Sequence, residues 1–420
     1  MTTSDAPLPH ALLPTRLAVE VFLSFAFAYF FSALVRGVTA TLAPSFSAEL
    51  GLQAGDLGLL AGAYFFGFAA MQLPLGKALD RFGPRRVLVG LLAVAVLGCV
   101  AFALARSFAA LTLSRALIGV GVSGCLMAPL TLFRRSFGES AQMRANSWML
   151  MTGSFGMVAS TLPVQWLLPS LGWRGLFWCV AALLALSMAV ITLRVPRDTS
   201  GGEERAVASG SYADVFRHPS FIRLVPLGFF NYGALIAVQS LWAGPWLVQV
   251  VGLSAQGAAQ GLFGINLAML LAFWGWGMAI PALYARGWTA QRLIALGCPV
   301  SLLALCAAVW LGPLAQAWLW ATFCVASTIV ALAQPAVGQA FPTALAGRAL
   351  SAFNLVVFSG VFCVQWGVGL AIDLGTREGL STLSAYRVAF ALLAVCCTFS
   401  YVWFLRFKDQ NAAAKPELPV

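Results

Sequence analysis

The sequence predicts an all-α membrane protein: twelve transmembrane helices in two six-helix bundles. Three observations carry this. The 420 residues are 60% hydrophobic and 9% charged, against about 25% charged in a soluble domain, so lipid must be the solvent for much of the surface. Apolar runs of spanning length recur twelve times between short turn signals. One long polar segment near the midpoint divides them six and six.

In order, the predicted spans lie at residues 17–43, 57–79, 86–106, 108–133, 143–169, 173–195, 221–250, 256–284, 290–311, 315–341, 347–373 and 384–407. Leu-Gly-Leu at 50–52, Gly-Pro at 83–84, Leu-Gly-Trp at 171–173 and Leu-Gly-Pro at 311–313 mark turns between them. The first 16 residues hold three prolines and no apolar core, so no cleavable leader is expected. Residues 199–204, Thr-Ser-Gly-Gly-Glu-Glu, have linker chemistry. After them Tyr212, Val215 and Phe216 fall on one turn and predict a short helix on the membrane face. The expected division is an N-terminal bundle at 1–195, a cytoplasmic linker at 196–220 and a C-terminal bundle at 221–420, the layout of a transporter built from repeats.

Charge position sets the expected orientation. With both termini inside, the inner loops and ends hold 19 Lys and Arg and the outer ones 4, and Arg36 and Arg115 lie within spans. This bias accounts for the net charge of +11 without an acidic partner. No basic run is interleaved with exposed aromatics, so nucleic acid is not an expected partner. The nine cysteines fall in apolar runs without a CxxC pair, and His10 and His218 lie outside the spans. No metal, cofactor or catalytic constellation is expected, and no enzyme.

Between spans 2 and 3, Gly76-Lys77-Ala-Leu-Asp80-Arg81-Phe-Gly83-Pro-Arg85-Arg86 packs four cations and one carboxylate into a short loop. Span 4 carries Arg115-Ala-Leu-Ile-Gly119-Val-Gly121. The first pattern is similar to the signature loop of the Major Facilitator Superfamily, and the second to its R-x-x-x-G-x-G motif. The resemblance implies a transporter of two rocking bundles. It also implies a conformational role for Gly76, Asp80, Arg81, Gly83, Arg85, Arg86 and Arg115. Asp80 is expected to pair with arginines or to cap a helix across the bundle interface, on span 11. The loop after span 8, Leu283-Tyr284-Ala-Arg286-Gly287, is a weaker copy, with Tyr284 where the first has Asp80. Span 5 reads Gly153-Ser-Phe-Gly156-Met-Val-Ala-Ser-Thr-Leu-Pro163, without the Gly-Pro of the family's proton-driven drug exporters. The stretch with Arg36 and Gln72-Leu-Pro74-Leu-Gly76 is more similar to branches that move organic phosphates and carboxylates.

Arg36 is the most informative residue. A charge within a span costs ~2.5–3.5 kcal/mol on insertion scales, so it should face a watery cavity or a partner. The alternatives are snorkelling or bonding to carbonyls. Tyr29, Ser32 and Arg36 share one helical stripe. No carboxylate sits mid-span, so the cavity should be positive and its substrate anionic. Polar positions in the second half complete the candidate site: Tyr232, Gln239 and Trp242 in span 7, Gln334 in span 10, Asn354 and Gln365 in span 11. Each can equally be interhelical glue. The reading is a secondary transporter of a small organic anion, open to proton coupling, monomeric in the inner membrane. The alternatives are a drug or metabolite exporter, or a transporter-like receptor that senses without transport.

Overall fold

In the computed structural model, residues 13–196 and 211–407 are described; the linker stretch at 199–204 lies outside them. Ten helices are long and apolar enough to cross a membrane, and Ala54–Ala70 with Gln72–Phe82, bent by 45°, makes another. The twelfth emerges at Gly172, whose φ of 62° and ψ of 169° break the Leu162–Arg194 helix. Residues before this break extend Glu139–Ala159, and those after it form a span of their own. The spans are therefore span 1 Thr15–Leu50, span 2 54–82, span 3 Pro84–Leu104, span 4 Phe108–Ser136, span 5 139–171, span 6 173–194, span 7 Pro219–Val250, span 8 Ala255–Ala285, span 9 Ala290–Leu311, span 10 Ala317–Gln339, span 11 Thr343–Arg377 and span 12 Thr382–Arg406. Spans 1 and 12 begin and finish at the same end, called here the termini end; the other is the far end.

Several helices run past their predicted limits. Span 1 continues through Pro44 to Leu50, where left-handed Gly51 closes it by donating its N–H to the Ser47 carbonyl. Pro44 has no N–H to offer Ala40 one turn earlier. That carbonyl faces span 7, where a Cβ on Gly244 would come within 2.6 Å of it. Spans 2 and 8 both end on left-handed glycines, Gly83 (φ 77°) and Gly287 (φ 80°), so the two loops keep the same terminator. A glycine at each lets the chain reverse without a Cβ penalty.

The linker helix forms at Tyr212–Arg217. Ser211 and Asp214 make its capping box, and Val215 is fully buried. Val215 joins a cluster with Phe221, Leu224 and Phe353, which seats the linker helix under spans 7 and 11.

Each bundle is closed internally by polar ties. At the far end, Glu49 accepts from Trp173 and Arg174, and Arg174 stacks 4.0 Å over the Trp173 ring, joining spans 1 and 6. In the second bundle Asn231 donates to the Cys397 carbonyl and to Ser400. Trp246 donates to the Ala315 carbonyl at 3.1 Å within a nest that includes Trp320 and Phe390.

Between the bundles, the tightest packing lies in the far half. A Cβ on Gly58 of span 2 would sit 2.5 Å from the Gln365 carbonyl of span 11, and one on Gly369 of span 11 would sit 2.4 Å from the Ala54 carbonyl. Asp373 of span 11 accepts the N–H groups of Ala54 (3.1 Å) and Gly55 (2.8 Å), the first turn of span 2. A carboxylate there satisfies two orphan donors and meets the positive end of the helix dipole. Toward the termini end the same helix pair meets more loosely: a Cβ on Gly76 would have only the Ser351 hydroxyl, 4.0 Å away.

Candidate substrate-binding site

A cavity lies in the termini half of the molecule, lined from spans 7, 10 and 11 by Tyr232, Gln334, Asn354, Phe353, Val357 and Phe358, among others. Gln334 donates to the Asn354 carbonyl at 2.8 Å. Phe358 packs 4.4 Å from the ring of Phe68 and parallel to that of Phe65, both on span 2. The cavity itself is walled by the second bundle, and the first bundle's Phe68 packs against one of its lining rings.

Tyr232 connects this cavity to the cationic centre. Its hydroxyl is within electrostatic range of Arg36 and Tyr29 across the seam. Arg36 is half-buried, reaches the Tyr29 hydroxyl seven residues earlier on its own helix, and acts on Tyr64 of span 2. Tyr29 lies against Gly153 of span 5, where a Cβ would come within 2.6 Å of the ring. Ser32, Tyr64 and Cys125, on spans 1, 2 and 4, are all buried behind the arginine. Among the described residues no carboxylate pairs with Arg36. Tyr29 and Ser32 are buried and Arg36 is half-buried, so the predicted stripe faces the interior. Tyr64, Cys125, Phe68 and Phe358 belong to this centre too. An aromatic in an apolar run is indistinguishable by sequence from core filling, so only the arginine announced the place.

Arg115 occupies a different position. It is 1% exposed and donates to the Val35 carbonyl (2.9 Å) and to Thr39, with its guanidinium 5.3 Å from the Tyr64 ring. Its Nε and Nη1 have no partner. It holds the back of span 1 one residue from Arg36, deep in the first bundle.

Three predicted site residues turn elsewhere. Gln239 donates to Asn266 of span 8 at 2.8 Å. Trp242 is fully buried and donates to the Gln365 carbonyl at 3.1 Å. Gln365 donates to Ser240 at 2.8 Å. All three are interhelical ties of the second bundle in the sealed far half. The cause is local. Span 7 contains wide π-type turns at Leu227–Tyr232, Val238–Trp242 and Trp246–Val250. Each extra residue in a turn rotates everything downstream by about 100° relative to a regular helix. Gln239 and Trp242 lie beyond the first of these turns, and their polar groups are taken up by Asn266 and the Gln365 carbonyl.

The charged loop after span 2 is spread over its own bundle. Asp80 pairs with Arg135 at the end of span 4 (3.2 Å), both toward solvent. Arg81 stacks on Phe82 (5.2 Å), Arg85 donates to the Thr192 carbonyl of span 6, and Arg86 is exposed. The expected Asp80 contact with span 11 is not made in this conformation. The charged cap between the bundles is at the opposite end, on Asp373.

Residues 25–365 match the family model of the Major Facilitator Superfamily. The chain belongs to that superfamily. Among solved superfamily structures, a bacterial homologue of the human lysosomal transporter Spinster, inward-facing and unoccupied, superposes with a TM-score of 0.78 at 18% identity, over 96% of this chain and 100% of the other. The peptide-family transporter PepTSo gives 0.74 at 15% identity, over 95% and 99%. By sequence the chain is similar to the Escherichia coli K12 inner membrane transport protein YajR, 30% identical over 40% of this chain and 37% of YajR. It is 27% identical to the probable sulfoacetate transporter SauU of Cupriavidus necator, over 45% and 44%. A multidrug resistance protein, MdtL of Escherichia coli O45:K1, is 27% identical over 35% and 39%. These alignments take in less than half the length of each relative. As expected for the superfamily, the signature loop sits where span 2 turns into span 3.

Proposed function

We propose that this protein is a secondary transporter that moves a small organic anion across the membrane by alternating access, with Arg36 as the anion contact. One observation carries the reading: a half-buried guanidinium within span 1, electrostatically close to Tyr29, Tyr64 and Tyr232, with no carboxylate paired to it among the described residues. A carrier that neutralises a cation would place an acid there. The spans at 1–195 and 221–420 are the two rocking bodies, and 196–220 is their tether. The 19-to-4 bias of basic residues supports termini in the cytoplasm, and the inner-membrane relative supports that membrane for a monomeric carrier. The named sulfoacetate relative is consistent with an anionic cargo. With no carboxylate paired to Arg36 among the described residues, any proton cotransported would travel on the substrate itself or by a route elsewhere.

Drug export is the second reading, favoured by the multidrug-resistance relative. Flux into proteoliposomes, with panels of organic anions and cationic dyes, separates the two. The expected result is saturable anion flux that Arg36→Ala abolishes and Arg36→Lys reduces about tenfold or more, because an ammonium lacks the bidentate fork. Dye flux with no anion flux, or wild-type anion flux in Arg36→Ala, overturns the proposal. Specific binding without flux in either panel would assign a sensor.

A further inference from the structure

A groove of about 370 Å³ lies at the termini end of the second bundle, where span 8 turns into span 9. Arg286, Gly287, Trp288, Arg292, Ala295 and Leu296 line it. The turn rests on Gly287, whose left-handed φ of 80° brings the Trp288 N–H back to the Leu283 carbonyl at 3.1 Å. Thr289 then caps span 9 by accepting from the Arg292 N–H. The local fold thus gathers two guanidiniums and one indole at a single groove.

These side chains are uncommitted. Arg286 and Arg292 are exposed, and among the described residues no carboxylate pairs with either. The matching loop of the first bundle is different. There Asp80 pairs with Arg135, and Arg85 is taken up by the Thr192 carbonyl. Tyr284 stands where that loop has Asp80, and residues 284–292 contain no acid, so the second loop has no counter-charge of its own.

The groove also leads into an apolar track. Leu296 lines it, is 64% exposed, and begins a row with Val300, Leu303 and Trp310 on one outward face of span 9. In a membrane span such a face meets acyl chains. Basic grooves between spans hold acidic headgroups, and an interfacial tryptophan sits at headgroup level. A soluble phosphate could use the arginines but would leave the track unused.

We propose that this groove holds an anionic phospholipid of the leaflet at the termini end, with its phosphodiester on Arg286 and Arg292 and an acyl chain along Leu296, Val300 and Leu303. Guanidinium forks suit a phosphodiester.

Native mass spectrometry of the purified full chain tests this. The protein is titrated in detergent with phosphatidylglycerol or with phosphatidylcholine of matched chains. The first phosphatidylglycerol should bind about tenfold or more ahead of phosphatidylcholine. Arg286→Gln and Arg292→Gln should each cut that preference about fivefold, and together bring it near unity. Arg144→Gln with Arg217→Gln removes the same charge from exposed positions at the same end and should keep the preference within about twofold. A ratio of two lipids on one preparation does not depend on the fraction of protein folded, so a destabilised variant still reports. No preference in the wild-type protein, an unchanged preference without Arg286 and Arg292, or an equal loss without Arg144 and Arg217 overturns the proposal. Inorganic phosphate that displaces phosphatidylglycerol at millimolar concentration overturns lipid as the occupant. None of these readings involves cargo, so the transport proposal is tested separately.

Discussion

Two arginines sit inside the first bundle, and their surroundings divide their labour. Arg36 is half-exposed to the seam, where its charge is available to something that comes and goes. Arg115 is sealed, with one terminal nitrogen anchored to span 1 and two nitrogens unmatched. A sealed cation with unmatched donors is a standing cost, offset here by the Tyr64 ring and the anchor on Val35. Arg115→Met should therefore leave the protein folded, with thermal stability moved by less than about 3 kcal/mol in either direction. The anion affinity at Arg36 should fall, since span 1 loses its rear support; differential scanning fluorimetry and ligand titration read the two effects apart. Gly153 offers a cleaner probe. A methyl there meets the edge of Tyr29, so Gly153→Ala should tilt that ring and weaken anion binding severalfold. Overpacking penalties of about 1–3 kcal/mol set the ceiling on the stability loss. Equal anion affinity in Gly153→Ala would show that Tyr29 does not shape the site.

At the scale of elements, the contact between spans 2 and 11 is the most informative. Its far half is built from backbone-to-backbone approaches at Gly58 and Gly369, sealed by the Asp373 cap on Ala54 and Gly55. Charged caps contribute about 0.5–2 kcal/mol. Asp373→Asn should shift the equilibrium toward far-end opening by roughly threefold to tenfold, seen as faster alkylation of a cysteine placed at position 54. Gly58→Leu cannot close at all, because its side chain meets the Gln365 backbone; it should be trapped with the far end open and carry no net flux. Asp80→Asn is predicted to act in the opposite sense. In the conformation described, Asp80 makes only an exposed pair with Arg135, worth about 0–1 kcal/mol. Its loss should leave this conformation intact and disfavour the alternative, in which Asp80 could reach across to span 11. Distance measurements by paired spin labels on spans 2 and 11 report both shifts.

For the whole molecule, the span number and order were written in the apolar runs and their glycine punctuation. Segments such as 86–106 and 384–407 have no competing reading at that length. The ends were less legible, because helix propensity does not stop at the lipid boundary: span 1 continues past Pro44 to a glycine that can adopt a left-handed turn. Arg36 stood out because a charge in lipid demands an explanation; of the polar positions named with it, Tyr232, Gln334 and Asn354 line one small cavity of the second bundle, and Tyr29 and Ser32 are buried in span 1. Gln239 and Trp242 were harder to place because a helix face is read from a regular period, and span 7 departs from it three times; Gln365, on the regular span 11, is taken up by a bond to Ser240 that no spacing announces. The Asp373 cap could not be read at all, since its partners are backbone N–H groups 318 and 319 residues away in sequence.

The asymmetry of the two ends has a kinetic consequence. Far-end opening must break a charged cap and separate glycine-packed backbones, whether or not cargo is bound. On the proposed function, cargo bound at Arg36 and bridging to the second bundle would give the loaded protein an added reason to reorganise that the empty protein lacks. The return of the unloaded carrier should then be the slow half of the cycle. Loading vesicles with substrate should accelerate uptake from the opposite side, so that exchange outpaces net flux. Equal rates in loaded and empty vesicles would place the barrier elsewhere.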